Sequence, residues 1–467
     1  LHNGINANPS GGQLPSVIAP EYKNGKYETE DAYKNRLKSD FTRTVQTLVN
    51  HIGKKPRVMV WPYGQFNDVS VQIARQAGMP HYFSLGEKIV NKVGDKHIGR
   101  LLLNAETDLN TVKNYLNGID ESKQIQRVLH VDLDYVYDAN KAQQAKNLDK
   151  LIERIYRYGV TTVYLQAFSD PDGDGVADAL YFPNKYLPVR DDIFGRIAWQ
   201  LQTRAGVQVY AWMPVLAFDL RKSVKEAEYV IDSRTGKPST KAYLRLSPYN
   251  KQNVEIIKSI YNDLSFYAKF NGILFHDDAF LTDFEGAEGN HAEGMVSPQA
   301  KQKTQDLIQL THQLTDALKP YFLRGSYSLK TACNLYASVI TNPNAEEWLA
   351  QNLKTLTDNY DTTAIMAMPY MENEQPISQK EAYQWFASLI ENVKAQAPLE
   401  KVLFEFQAVN WRTQKPIPES ELIDWMTLLQ KNHIYSYGYY PDNFLTNQPD
   451  MNKMKPYFSV NTNAGKQ

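Results

Sequence analysis

The chain has 467 residues, enough for one large barrel plus an appendage or for two or three ordinary domains. Its 51 Lys+Arg and 52 Asp+Glu leave a net charge of −1, without the basic excess of a general nucleic-acid binder, so no nucleic-acid partner is expected. With 42% hydrophobic and 22% charged residues it is a globular sequence, and its single cysteine, Cys333, excludes an intrachain disulfide and a Cys-rich zinc site.

The opening LHNGINANPSGG has neither the basic region nor the apolar core of a signal peptide. It reads as free of helix and strand, and as the start of a mature or truncated product. Apolar residues spaced by three or four (Tyr33, Leu37, Phe41, Val45, Leu48) predict a helix over 29–51. A strand at 57–60 ends in Trp61-Pro62-Tyr63-Gly64; a short helix (68–77) and a strand (82–85) follow. This α/β stretch, 1–117, is too short to close a core of its own kind, and the polar run 118–126 marks a junction.

Beyond it, strands are expected at 127–136, 161–168, 207–215, 272–280, 322–327, 363–369, 402–408 and 435–440, with amphipathic helices between, for example 148–157 and 425–432. Strands apolar nearly throughout suit burial on both faces of a parallel sheet. Eight of them alternating with helices predict an α/β fold, a (β/α)8 barrel over 118–467, with an open doubly wound sheet as the alternative. The longest apolar stretch, 210–218, is shorter than the about 18–20 residues a membrane helix needs.

A barrel carries its site where its strands end. Those ends hold His130, Asp132 and Asp134; Gln166 and Asp170; Trp212; His276, Asp277 and Asp278; Glu405, Gln407 and Trp411; Tyr439, Tyr440 and Asp442. Asp277-Asp278 is the sharpest feature, because adjacent carboxylates ending an apolar strand are costly unless paired, hydrated or used. Asp283 and Glu285 follow on the next loop. Glycoside hydrolysis needs two carboxyl groups, one protonated and one ionised, and crowding raises the pKa of one of them. The catalytic candidates are therefore Asp277, Asp278, Asp283 and Glu285. Tyr243, Trp411, Tyr439, Tyr440 and Trp212 are candidates for stacking on sugar rings; His276, Asp134 and Arg245 are candidates for polar contact, and Arg324 could neutralise rim carboxylates. Asp170, Asp172, Asp174 and Gly175 match the start of a calcium loop, but position twelve is Tyr181 rather than Glu, which favours a polar turn. No phosphate loop, zinc HExxH or GxSxG elbow occurs.

The segments HVDLDYVYD (130–138), YLQAFSDPDGDG (164–175), YAWMPVL (210–216), RLSP (245–248), GILFHDDA (272–279), IMAMPY (365–370) and YGYYPDNFL (437–445) resemble the C-terminal domain of the PgaB family. The resemblance covers essentially the whole chain. It implies a two-domain periplasmic protein of biofilm exopolysaccharide export, an outer-membrane lipoprotein in its full-length form, with an export porin as partner. The implied polymer is poly-β-1,6-N-acetyl-D-glucosamine. The barrel would bind and hydrolyse the partly deacetylated polymer without a cofactor, and the N-terminal domain would be a divalent-metal N-deacetylase. Residues 1–117 would be an incomplete C-terminal part of that deacetylase domain. His2 resembles the second histidine of the family's His-x4-His metal motif, whose first His and whose Asp would lie upstream; RVMVWPYG (57–64) resembles a later deacetylase motif. In the barrel the resemblance points to Asp283 as essential for hydrolysis and to Tyr243 and Trp411 as sugar contacts. The competing expectations are a non-catalytic polymer-binding export module, and deacetylation as the intact protein's only activity.

Overall fold

In the computed structural model, residues 4–85, 90–103, 109–117, 125–239, 242–286, 296–325, 328–373 and 375–461 are described. His2 and most of the expected junction lie outside them. The chain divides into two compact units. The first is Leu1–Gln124 with Tyr261–Asn271 and Asp316–Leu329; the second is Ile125–Ile260, Gly272–Thr315 and Lys330–Gln467.

In the first unit, Thr29 caps helix α1 (Glu30–Ile52) by accepting from the Ala32 N–H, and Gly53 ends it in the left-handed region. Tyr33, Leu37 and Phe41, four apart, form its buried stripe. They pack with Met59, Trp61, Phe66, Tyr82, Phe266 and Tyr321 in one core. Strands β1 (Val58–Val60), β2 (His81–Leu85) and β3 (His97–Arg100) form a parallel sheet, and α2 (Asp68–Gln76) lies between the first two in sequence. The opening is not free of strand: Gly4–Asn6 and Gln13–Pro15 pair antiparallel. Gly and Asn there supply the turn rather than exclude pairing.

The second unit is a closed barrel of eight parallel strands in chain order: β4 (Arg127–Val131), β5 (Thr162–Gln166), β6 (Gln208–Met213), β7 (Gly272–Phe275), β8 (Lys330–Tyr336), β9 (Thr362–Met366), β10 (Val402–Gln407) and β11 (Tyr437–Tyr440). Helices α3 (Lys141–Tyr158), α4 (Lys251–Tyr267), α5 (Pro298–Leu318), α6 (Gln379–Gln396), α7 (Glu419–Lys431) and α8 (Met451–Phe458) connect and follow them. Residues β4, β5, β7, β9 and β10 contribute are buried throughout, as a two-sided sheet requires.

One strand expectation fails. The apolar run 322–327 is not barrel; the fifth strand is Lys330–Tyr336 (KTACNLY). Phe322 packs on Phe270, and Arg324 exchanges backbone hydrogen bonds with Phe66 and pairs with Asp68 at 2.6 Å, all inside the first unit. Arg324 therefore neutralises Asp68 and not a rim carboxylate. The true strand was masked by its own polar residues, Lys330, Thr331 and Asn334, of which Asn334 has a partner inside the barrel.

Candidate active site

Side chains alternate across each strand, so neighbours in sequence face opposite sides. On β11, Tyr439 faces out. Its hydroxyl donates to Asp442 (2.7 Å), its ring packs on Tyr158 of α3 and Phe458 of α8, and it is fully buried. Tyr440 faces in, where its ring lies 5.6 Å from Trp212 and 6.0 Å from Trp411. Strands β4 and β6 are not neighbours, yet the rings of His130 and Trp212 lie 4.0 Å apart, a contact made only through the barrel interior. Trp212, Tyr440 and half-buried Trp411 thus form an aromatic wall at the mouth.

His276, Asp277 and Asp278 follow β7. Asp277 turns into the mouth. Its Oδ2 accepts from the hydroxyls of Tyr243 and Tyr336, each at 2.8 Å, and its Oδ1 lies 3.0 Å from His276 Nε2. Burial alone would raise the Asp277 pKa, but the His276 charge and these hydrogen bonds win and lower it to about 2. Burial likewise disfavours a charged His276, and the Asp277 charge outweighs it, raising His276 to about 10. The pair is therefore an imidazolium and a carboxylate across the neutral range. Tyr243 is wedged in place by the 170–175 turn: Gly175 has φ +79°, and a Cβ there would stand 2.0 Å from the Tyr243 ring. Within that turn Asp170 accepts the N–H groups of Gly173, Asp174 and Gly175, and the carboxylates of Asp170, Asp172 and Asp174 come within 4.8 Å of one another.

Asp278 turns the other way. It is fully buried, and its carboxylate accepts the backbone N–H groups of Val215, Leu216 and Ala217 at 2.6 to 3.1 Å. It anchors the chain leaving β6. Glu285 is also internal: it takes Arg245 at 2.6 Å and the Thr282 N–H at 2.8 Å, with Arg245 fully buried. Arg245 also donates to Phe280 O. Asp134 is engaged by Arg190, Tyr181, Ser169 and the Asp170 N–H. The loop between these anchors presents Asp283. It is half-buried, and among the described residues its carboxylate has no hydrogen bond or ion pair. Lys303 donates to Thr282 O at 3.0 Å and places its charge near Asp283.

Four groups missing from the sequence-derived set lie at the mouth. Asn334 and Tyr336 were hidden by the misplaced fifth strand. Glu405 and Asp132 stood at strand ends, where inward parity with His130 singles out Asp132. Asp132 is 8% exposed, with no ion pair among the described residues; the Tyr440 hydroxyl donates to it at 3.3 Å. Burial, and then the Asp134 charge, raise its pKa from 3.8 to about 7. The folded chain keeps this proton where the unfolded chain loses it, so this group's contribution to stability falls as pH rises from 3.8 to about 7. Asp132→Asn is expected to raise Tm at about pH 8 and change it little near pH 4. Thermal melts at the two values check this; an unchanged Tm at the higher pH would contradict a raised Asp132 pKa.

In the first unit, Trp61 of the WPYG segment is buried against Phe66 while Tyr63 is exposed. Among the described residues of that unit no three His, Cys, Asp or Glu side chains converge. His2, the metal ligand implied by the resemblance, lies outside the described residues.

A closed parallel barrel with an acidic and aromatic mouth is the framework of a barrel glycosidase, and the model of hypothetical glycosyl hydrolase family 13 matches residues 130–440. The polysaccharide deacetylase model matches residues 24–82. Poly-β-1,6-N-acetyl-D-glucosamine N-deacetylase of Escherichia coli (strain K12) is 38% identical over 485 residues, covering 98% of this chain and 71% of that protein. The solved PgaB (BpsB) glycoside hydrolase domain from Bordetella bronchiseptica matches with a TM-score of 0.65 at 37% identity, over 72% of this chain and all of that one. The chain belongs to the PgaB family, with a glycoside hydrolase barrel and a region of polysaccharide-deacetylase similarity before it.

Proposed function

We propose that the barrel hydrolyses β-1,6 bonds within partly deacetylated poly-N-acetylglucosamine, the polymer named in its relatives. The observation that carries this reading is the contrast between carboxylates. Of the four candidates, Asp278 and Glu285 are locked in the framework, Asp277 is an anion inside the mouth, and Asp283 alone has oxygens without a partner among the described residues. Asp283 protonates the leaving glycosidic oxygen as its bond to the anomeric carbon breaks, Asp277 supplies the fixed negative charge that faces the cationic centre, and a water forms the new bond to that carbon and returns its proton to Asp283. Half-buried Tyr440 and Trp411 give sugar rings apolar faces to lie on, with buried Trp212 packed against Tyr440. Asp134, Asp170 and Asp277 make the rim attractive to glucosamine ammonium groups.

Incubation with partly deacetylated polymer is expected to yield shorter oligosaccharides by mass spectrometry, while fully acetylated polymer stays intact. Unchanged polymer that nevertheless binds would replace this reading with a non-catalytic binding module.

A further inference from the structure

We propose that His276 is a positioning residue rather than a sugar contact: clamped between Asp278 and Asp277, its ring carries a fixed positive charge that aims the Asp277 carboxylate into the mouth and keeps it ionised. The proposal rests on the polysaccharide reading above.

His276 Nε2 lies 3.0 Å from Asp277 Oδ1, and Nδ1 lies 3.5 Å from Asp278 Oδ1. Both ring nitrogens therefore face carboxylate oxygens, which only accept when ionised. A neutral ring would turn one lone pair toward an anion; the doubly protonated ring suits both sides. None of the three residues is more than 7% exposed, so water screens little of this attraction. Burial opposes the ring's charge, and Asp277 and then Asp278 outweigh it, which raises His276 to about 10. Among the described residues no Lys or Arg pairs with Asp277 or Asp278, so His276 is the cation that balances them.

The clamp is anchored at its back. Asp278 accepts the N–H groups of Val215, Leu216 and Ala217, which ties the ring to the chain leaving β6. The ring itself is packed, with the rings of Trp212, Tyr243 and Phe168 centred 5.2, 5.4 and 5.8 Å away. At the front, Asp277 is held on both oxygens: Oδ1 by His276, Oδ2 by the Tyr243 and Tyr336 hydroxyls. The tyrosines supply hydrogen bonds without charge, because burial and then the Asp277 charge keep both hydroxyls protonated. Asp132, just beyond β4, is the other titrating group that the His276 charge reaches, and it is neutral below about 7. With both its nitrogens turned to carboxylates, His276 has none left for a sugar hydroxyl.

Two measurements on the full chain test this. In the parent, with its nine histidines labelled with nitrogen-15, one imidazole is expected to stay doubly protonated at about pH 8.5 by NMR, and that signal to be missing from His276→Gln. The second is the pH profile of polymer cleavage. Gln can still donate to Asp277 but brings no charge. The acid limb of kcat/KM should therefore move up by about 1–3 units, as the Asp277 value climbs from about 2 past the ordinary 3.8. A sugar contact at His276 would raise KM and leave the limb in place. A merely structural His276 would lower activity in step with stability at every pH, again without moving the limb. No doubly protonated imidazole in the parent overturns this inference alone, whether or not His276→Gln folds. An unmoved acid limb, in a parent that cleaves, does the same. A parent that cleaves no polymer overturns the polysaccharide reading and this inference with it.

Discussion

Asp283→Asn is expected to lower the rate of polymer cleavage by about 10²- to 10⁴-fold, the contribution of a positioned general acid. Binding of the same polymer should persist, because the aromatic wall and the Asp277 anion are untouched. Stability should stay within about 0.5 kcal/mol of the parent, since the Asp283 carboxylate has no partner to lose among the described residues. Asp278→Asn is the contrasting variant. Its carboxylate accepts three backbone N–H groups in a fully buried place, and an amide offers only one oxygen and sets an NH₂ against the remaining N–H groups. It should unfold at lower denaturant and lose activity only as it loses structure. Product analysis with urea titrations on both variants separates the roles. Full activity in Asp283→Asn would remove it as proton donor.

That contrast shows what was legible in the sequence and what was not. The barrel was legible because its strands are apolar on both faces and bounded by polar turns. The acidic rim was legible because Asp277-Asp278 closes such a strand. Period-two alternation says that Tyr439 and Tyr440 face opposite ways, but the strand ends at Phe275 and Asp277-Asp278 lie in the turn beyond it, where that rule does not apply. Which member faces in depends on what lies behind it. For Tyr439 that is Tyr158 and the Phe458 ring; for Asp278 it is the backbone at 215–217. Partners that far apart leave no local pattern. The fifth strand failed for a related reason. Its polar residues read as a loop, yet Asn334 is satisfied by Glu405 across the barrel, and the neighbouring apolar run 322–325 serves the other unit.

Arg245 carries the second large expectation. It lies 40 positions before Glu285, and the two were separate candidates at the sequence level, Arg245 for substrate contact and Glu285 for catalysis. In the fold both are sealed from solvent, 2.6 Å apart, with the guanidinium over the Phe280 ring and bonded to Phe280 O. Arg245→Met keeps most of the volume and strands Glu285 as a buried charge, which should cost about 3–5 kcal/mol in a urea titration. Arg245→Met combined with Glu285→Leu should recover much of that loss, because an apolar pair replaces a buried ion pair at little cost. The pH dependence should change sign as well. In the parent, burial raises the Glu285 pKa but the Arg245 charge outweighs it, so the value lies below the usual 4.5. The stability it contributes is therefore present above that pH and lost as pH falls through the lower folded value. Without Arg245, only the Ser239 and Thr282 hydrogen bonds oppose burial, so the folded value rises, and once it passes the usual 4.5 the contribution falls as pH increases. Activity should fall with stability, since Phe280 O and Glu285 hold the two ends of the loop that carries Asp283. A variant that kept its stability and its acid limb would show that the loop is held by Lys303 and Thr282 instead.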